Sequence, residues 1–220
     1  MRGIVLLSGG LDSAVNLAFA LRNLEVVLCL TADYGQLAAR REIAAARALS
    51  EYYGVAHRVV ELPFLRDLGG SALTDDVKLP EPAAADLDDP ARAADSARRV
   101  WVPNRNGLLV NVAACFAEVL GCNRIITGFN REEARTFPDN SPQFLEAANY
   151  ALAYSTLADV RVVSYTQLLD KAEIVTLGQR LRVPWSLVWS CYRGESLACG
   201  ACESCVRLER ARENAGEVNG

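Results

Sequence analysis

Residues 2–13 read RGIVLLSGGLDS, and this stretch decides the class of fold. Ile4, Val5, Leu6 and Leu7 make a short apolar run, the length of a buried strand. Ser8-Gly9-Gly10 is a turn. From Leu11 to about Asn23 the apolar residues return at helical spacing: Leu11, Val15, Ala18 and Leu21 share one face, while Asp12, Asn16 and Asn23 point elsewhere. EVVLCLTADY (25–34) follows as a second strand. Strand-helix-strand alternation with nearly continuous apolar strands predicts an α/β fold with a parallel sheet.

The alternation continues outward. QLAARREIAAARALSEYYG (36–54) predicts a helix stopped by Gly54, and HRVVEL (57–62) a strand. Further on, helices are predicted at 106–121, 141–156 and 170–182, and strands at 123–129 and 160–165. Between them, about 75–99 holds three prolines, many alanines and alternating charge without an apolar period, which predicts a long mobile loop and a possible lid over a site. Composition divides the chain into a main α/β unit, 1–182, and a small cysteine-bearing segment, 183–220.

The 220 residues carry 51% hydrophobic and 23% charged side chains, the balance of a globular protein. The longest apolar runs stop after about five residues, far short of the roughly 18 that a membrane span needs, so no membrane partner is expected. SGGLDS follows the first apolar run where a leader would show a cleavage site, which predicts a cytoplasmic protein. Net charge −4 supplies no basic field for a polyanion, so nucleic acid is not an expected partner. One histidine, His57, excludes metal sites built on two imidazoles; it reads as an ordinary, partly exposed residue.

Ser8 to Ser13 lies between a buried strand and a helix N-terminus, where free N–H groups and the helix dipole favour an anion. Gly9 and Gly10 let the backbone approach phosphate oxygens, and the Ser8 and Ser13 hydroxyls add donors without charge. Asp12 has the wrong sign for phosphate but suits a Mg²⁺ ion bridging to it. The sequence has neither a G-x-x-x-x-G-K-S/T loop nor a G-x-G-x-x-G turn. SGGLDS instead resembles the PP-loop of the ATP pyrophosphatases, which cleave ATP between the α and β phosphates. That resemblance implies a three-layer α/β/α, Rossmann-like fold of the adenine nucleotide alpha hydrolase type. It also implies ATP contacts from Ser8, Gly9, Gly10, Leu11, Asp12 and Ser13, with Asp33 and Tyr34 near the adenosine.

Seven cysteines are unevenly spread: Cys29, Cys115 and Cys122 read as core thiols, whereas Cys191, Cys199, Cys202 and Cys205 crowd together. Four thiolates suit tetrahedral Zn²⁺, with Gly200 allowing a tight turn, so one structural zinc per chain is expected. An iron–sulfur cluster or redox thiols are the competing readings. Arg193 and Arg207 are expected to offset the thiolate charge. Loss of this metal is expected to spare ATP binding at the distant Ser8–Ser13 loop.

SGGLDSA, DYGQ, VPNRNGLLVNVAACFAE, LLDKAEIV and WSCYRGESLACGACESCVR together, from Ser8 to Arg207, resemble the 7-cyano-7-deazaguanine synthase family, QueC. The sequence departs from the family at Val102-Pro103-Asn104-Arg105-Asn106, where VPGRN is common, and at 136–141, where TFPDNS replaces a GYPDCR-like run. The resemblance implies a ligase that converts 7-carboxy-7-deazaguanine, ammonia and two ATP into the nitrile through adenylates, and a homodimer. With the first strand starting at once, ammonia is expected from solution or another protein. Lys171 and Arg105 are expected to neutralise phosphate or carboxylate charge. Asp139 is expected to accept a guanine-like N–H pair, with Phe137 stacked on the ring; Trp185 and Trp189 read as core. The rival readings are a paralogue passing an adenylated deazaguanine to another acceptor, a tRNA-modifying thiolase, and a binding module.

Overall fold

The computed structural model describes residues 1–216, so the last four residues of the cysteine segment lie outside the described residues. Five strands, β1 (Arg2–Leu6), β2 (Glu25–Asp33), β3 (Ala56–Glu61), β4 (Arg124–Ile126) and β5 (Arg161–Val163), form one parallel sheet in the order β3-β2-β1-β4-β5. β1 is central because it is apolar on both faces: Ile4 and Val5 are wholly buried, Ile4 lying beside Leu28 of β2 and Ile125 of β4. Each such side chain contributes roughly 1.5–3 kcal/mol on leaving water.

Helices cover both faces, as expected for three layers. α1 (Leu11–Ala20), α2 (Ala39–Tyr53) and a later helix, Lys171–Leu181, bury Leu17, Leu49 and Ile174 on one side. Helices Arg105–Val119 and Pro142–Ser155 bury Val110, Ala113 and Leu152 on the other. α2 stops where Gly54 turns into the left-handed region at φ 68°, as its sequence predicts. Asn16 departs from its expected outward position. It is wholly buried, donating to Thr166 Oγ1 at 2.7 Å and accepting from the Tyr165 N–H at 2.8 Å. A polar residue on the core side of α1 is thus satisfied by the loop after β5.

The segment 75–99 is not the structureless loop its composition suggests. After a short helix α3 (Phe64–Asp67), the chain forms a 3-10 turn at Ala84–Asp88 and then α4 (Pro90–Arg99). Asp89 caps α4, its carboxylate accepting from the N–H groups of Ala91 and Arg92, and Pro90 opens the first turn. The buried face of α4 is Ala93, Ser96 and Ala97, side chains too small to show as an apolar period. Leu79, Leu73, Val100 and Val102 close a local core against Tyr34.

In chain order the remaining helices are α5 (Arg105–Val119), α6 (Pro142–Ser155), α7 (Lys171–Leu181) and α8 (Glu203–Asn214). α8 has no counterpart in the sequence reading, being mostly charged. It nevertheless lies on α7, where Ala211 joins the main core and Leu208 packs against it. Cys29 and Cys122 are core thiols as expected. Cys115 is not: α5 turns it to the surface, where its thiol donates to the Asn111 carbonyl. No helix among the described residues is long and apolar enough to cross a membrane.

Candidate active site

The chain leaves β1 toward β2 and β3 on one side and returns to β4 and β5 on the other, so the strand order reverses beside β1. Parallel sheets open a crevice at such a switch point, at the carboxyl ends of the strands. Here the crevice is a cleft of about 260 Å³ between the Ser8–Ser13 loop and the Thr127-Gly128-Phe129 end of β4. Gly9 has φ +82°, and a Cβ on it would stand 2.8 Å from the Glu42 carbonyl oxygen and from Ala45 Cβ, so only glycine fits. The Ser8 and Ser13 hydroxyls lie 3.0 Å apart. No side chain caps α1 at Gly10, so the first-turn N–H groups and the positive end of the helix dipole are left for a ligand.

Asp12, in that first turn, meets Lys171 from the first turn of α7. Lys171 Nζ donates to Asp12 Oδ2 at 2.6 Å and to Glu133 Oε1 at 2.5 Å, while Asn130 Nδ2 donates to Asp12 Oδ1 at 3.3 Å. The ammonium is buried. Burial works against its charge, but Asp12 and Glu133 more than offset that and raise its pKa. Burial lifts the Asp12 carboxyl to about 6, with Lys171 opposing and Glu133 adding to the rise. Glu133 is also disfavoured by burial, yet Lys171 and then Arg207 hold its pKa down. Paired with both carboxylates, Lys171 is a cation fixed beside the Ser8–Ser13 loop, and the three groups together carry one net negative charge. Lys171, expected at a helix start to neutralise phosphate charge, is buried and doubly paired.

Cys191, Cys199, Cys202 and Cys205 converge, their Sγ atoms all within 4.8 Å of one another. Around a tetrahedral zinc at about 2.3 Å, sulfurs stand roughly 3.8 Å apart, so the four residues fit that ion. N–H groups of Arg193, Cys199 and Cys202 donate to Cys191 and Cys199 sulfurs at 3.3–3.5 Å, as suits thiolates.

The family model described as "Queuosine biosynthesis protein QueC" matches residues 2–216. The chain belongs to the QueC family. It is 74% identical over 218 residues to the 7-cyano-7-deazaguanine synthase of Desulforudis audaxviator, covering 99% of each protein. It is 57% identical to that of Desulforamulus reducens, over 98% of this chain and 95% of the relative. Among solved structures, NMN synthetase from Francisella tularensis aligns with TM-score 0.45 and 18% identity, over 100% of this chain and 87% of that one.

In this QueC chain the cysteine group is not distant from the phosphate loop. The Trp189 N–H donates to the Gly9 carbonyl at 2.9 Å, and the Trp189 indole N–H donates to the Cys191 carbonyl at 2.9 Å. Arg41 stacks on the indole at 5.1 Å and donates to the Glu195 carbonyl. Trp189 therefore lines the cleft instead of filling the core, whereas Trp185 packs on the core as expected. Cys202 is also the N-cap of α8, which carries Glu203, Ser204 and Arg207 into the cleft wall. Arg193 helps to offset the thiolate charge as expected, Cys199 and Cys202 raising its pKa, whereas Arg207 is held by acids instead. Arg193 pairs with Glu81; Arg207 donates to Glu203 Oε1 at 2.8 Å and to Glu132 Oε1 at 2.8 Å. Glu203, wholly buried, also accepts from Ser96 of α4, so the insertion at 75–99 props this helix.

The other expected residues separate. Ser8, Gly10, Leu11, Asp12, Ser13, Tyr34, Arg105, Phe137 and Lys171 line the cleft. Gly9 stands behind the wall, and Asp33 turns away to accept from the Gly35 N–H at 3.0 Å. Arg105 is held by the Tyr34 hydroxyl at 3.0 Å, and nearby Tyr34 and Asp139 raise its pKa despite burial. Phe137 stacks on Trp101 at 6.3 Å. Asp139 is buried beneath the wall, bound by Asn140 Nδ2 at 3.2 Å, so its carboxylate does not form the lining surface. Sequence reading missed Glu42, Glu133 and Glu203, because a buried acid is recognised by its partners, not by its neighbours in the chain.

Proposed function

We propose that this protein is a 7-cyano-7-deazaguanine synthase, a ligase converting 7-carboxy-7-deazaguanine, ammonia and two ATP to the nitrile. The observation that carries the reading is the meeting of an uncapped glycine loop with a lysine held between two carboxylates, in a chain so similar to proteins of that name. In the first half-reaction a substrate carboxylate oxygen attacks the α-phosphorus and pyrophosphate departs. Ammonia then adds at the acyl carbon and AMP leaves, giving the amide and releasing a proton. In the second, the amide oxygen attacks a second α-phosphorus and pyrophosphate departs; loss of the two nitrogen-bound protons and of AMP leaves the carbon–nitrogen triple bond.

No side chain is needed as a covalent nucleophile; the task is positioning and charge neutralisation. The first-turn N–H groups of α1 and the Ser8 and Ser13 hydroxyls grip the phosphates. Lys171 neutralises charge on them, its position fixed by Asp12 and Glu133. Arg105, anchored by Tyr34, faces the substrate carboxylate or a phosphate. Mg²⁺ accompanies ATP as part of the substrate, with Asp12 the loop carboxylate nearest to it. Cys191, Cys199, Cys202 and Cys205 hold one zinc that closes the fold and supplies no reaction chemistry. The small-molecule partners, a cytoplasmic setting and a homodimer complete the reading; exposed Val119, Tyr150, Tyr154 and Leu157 offer a dimer an apolar surface.

Incubation with 7-carboxy-7-deazaguanine, ATP and ammonium is expected to give the nitrile by mass spectrometry, with AMP and pyrophosphate. Asp12→Asn is expected to slow turnover at least about tenfold, the effect of ~1.4 kcal/mol on the barrier. ADP and phosphate as the only nucleotide products overturn the PP-loop chemistry. Turnover only with tRNA present favours the thiolase reading instead.

A further inference from the structure

Glu42 is a half-buried acid that the chemistry above does not use. It sits in the first turn of α2, directly behind Gly9, and lines the cleft near Tyr34, Arg105 and Trp189. Its side chain is fixed by Gln36, a residue 5% exposed and fully engaged. The Gln36 carbonyl accepts from the Tyr34 N–H at 2.9 Å, and its amide donates to the Ala32 carbonyl at 3.2 Å and to Glu42 Oε2 at 2.8 Å. The other oxygen, Oε1, has no hydrogen-bond partner among the described residues. Burial raises the Glu42 pKa, as suits a carboxyl group short of donors.

We infer that Glu42 determines base specificity, its carboxylate accepting the adjacent ring N–H and exocyclic amine of a guanine-type base. This inference rests on the function proposed above and names the residue that selects its heterocyclic substrate. Adenine presents one amine flanked by ring acceptors, and a carboxylate beside an acceptor nitrogen is repelled. The guanine-type edge presents two neighbouring donors with no acceptor between them, which one carboxylate can satisfy. Asp139, the acid that sequence reading assigns to this task, is buried and lies outside the cleft lining. Glu42 is in the wall with a free oxygen. Phe137, Tyr192 and Trp189 line the same cleft, aromatic side chains of the kind that can hold a planar ring. Gln36 is a positioning residue for Glu42.

Calorimetric titration of the whole protein tests the inference with 7-carboxy-7-deazaguanine, the same compound without its 2-amino group, and a non-hydrolysable ATP analogue. The wild type is expected to bind the deaminated compound at least about tenfold more weakly. Glu42→Gln is expected to weaken binding of the amino compound by at least about tenfold and to shrink the preference between the two to under about threefold. Affinity for the ATP analogue is expected to stay within about twofold, which also reports that the variant is folded. If the wild type binds both bases equally, the inference fails, whatever the variant does. A variant that keeps the preference, or loses ATP analogue affinity alone, also overturns it while leaving the function standing. A wild type that binds neither base overturns the proposed function itself.

Discussion

Residues 2–33 and residues 189–216 are ordered by different physics, although one hydrogen bond joins them. In the first, β1 and β2 bury Ile4, Val5, Cys29 and Leu30, and parallel backbone pairing does the rest. In the second, the buried side chains include three cysteines and the charged pair Glu203 and Arg207. Area removed from water stabilises the former in many small increments. The latter depends on a few strong, specific links, each of which leaves an expensive orphan when its partner goes. Ordinary core damage should therefore be graded in the sheet and close to all-or-none in the cysteine segment.

The largest effect is expected from Cys202→Ala. Bound zinc should fall from one per chain to none by elemental analysis, and the melting temperature should drop by more than about 10 °C, because a closed thiolate site adds its binding free energy to folding. Contrary to the reading of a remote metal, ATP analogue affinity should fall too, by at least about tenfold, since Trp189 buttresses Gly9. A variant with normal stability and no turnover marks the metal as catalytic; a brown protein containing iron favours the cluster.

Next comes Lys171→Ala. It leaves Asp12 and Glu133 facing each other without their shared ammonium and should cost about 3–5 kcal/mol in a denaturant melt. Zinc content should stay at one per chain, which separates damage at the cleft from damage at the cysteines. Ile125→Ala probes the other physics. A wholly buried strand residue should cost about 2–4 kcal/mol with metal retained, a loss that scales with the cavity left behind.

How far the sequence was legible follows the same divide. Strands and helices from Ile4 to Leu181 betray themselves by period, and SGGLDS by its place between strand and helix. α4 was hidden because alanines form its buried face, although Asp89-Pro90 is a start signal in plain view. α8 was hidden because its buried residues include charges, satisfied by Ser96 and Glu132 from distant parts of the chain. Four clustered cysteines announced a metal-ligand set, but not the Trp189 link that ties it to the Ser8–Ser13 loop. Lys171 was legible as a candidate cation for the site; its carboxylate partner Glu133 came from another loop and was not.

The smallest effect expected is a displaced pH profile. Because burial lifts the Asp12 carboxyl from 3.8 to about 6, a rate that needs the carboxylate should fall as pH drops through about 6, not through about 4. Glu133 contributes to that rise, so Glu133→Gln should move the inflection in kcat/KM for ATP to lower pH, by under about one unit. The same shift gives folding a proton-linked signature: Asp12 favours the folded state most below pH 3.8 and loses that contribution as pH rises through about 6. An inflection that stays fixed in the variant would show that the two acids do not sense each other through Lys171.

The bond from Trp189 to Gly9 also governs timing during synthesis. It closes a loop of about 180 residues, a contact whose chain-entropy cost is met only when both ends exist. β1 and β2 emerge well before Trp189 and can pair early, but the Ser8–Ser13 loop between them lacks its support until Trp189 has been made. A ribosome-bound chain halted before Trp189 should thus already possess its glycine turn and remain unable to hold ATP firmly, so that competence for the nucleotide waits on a residue made about 180 positions later.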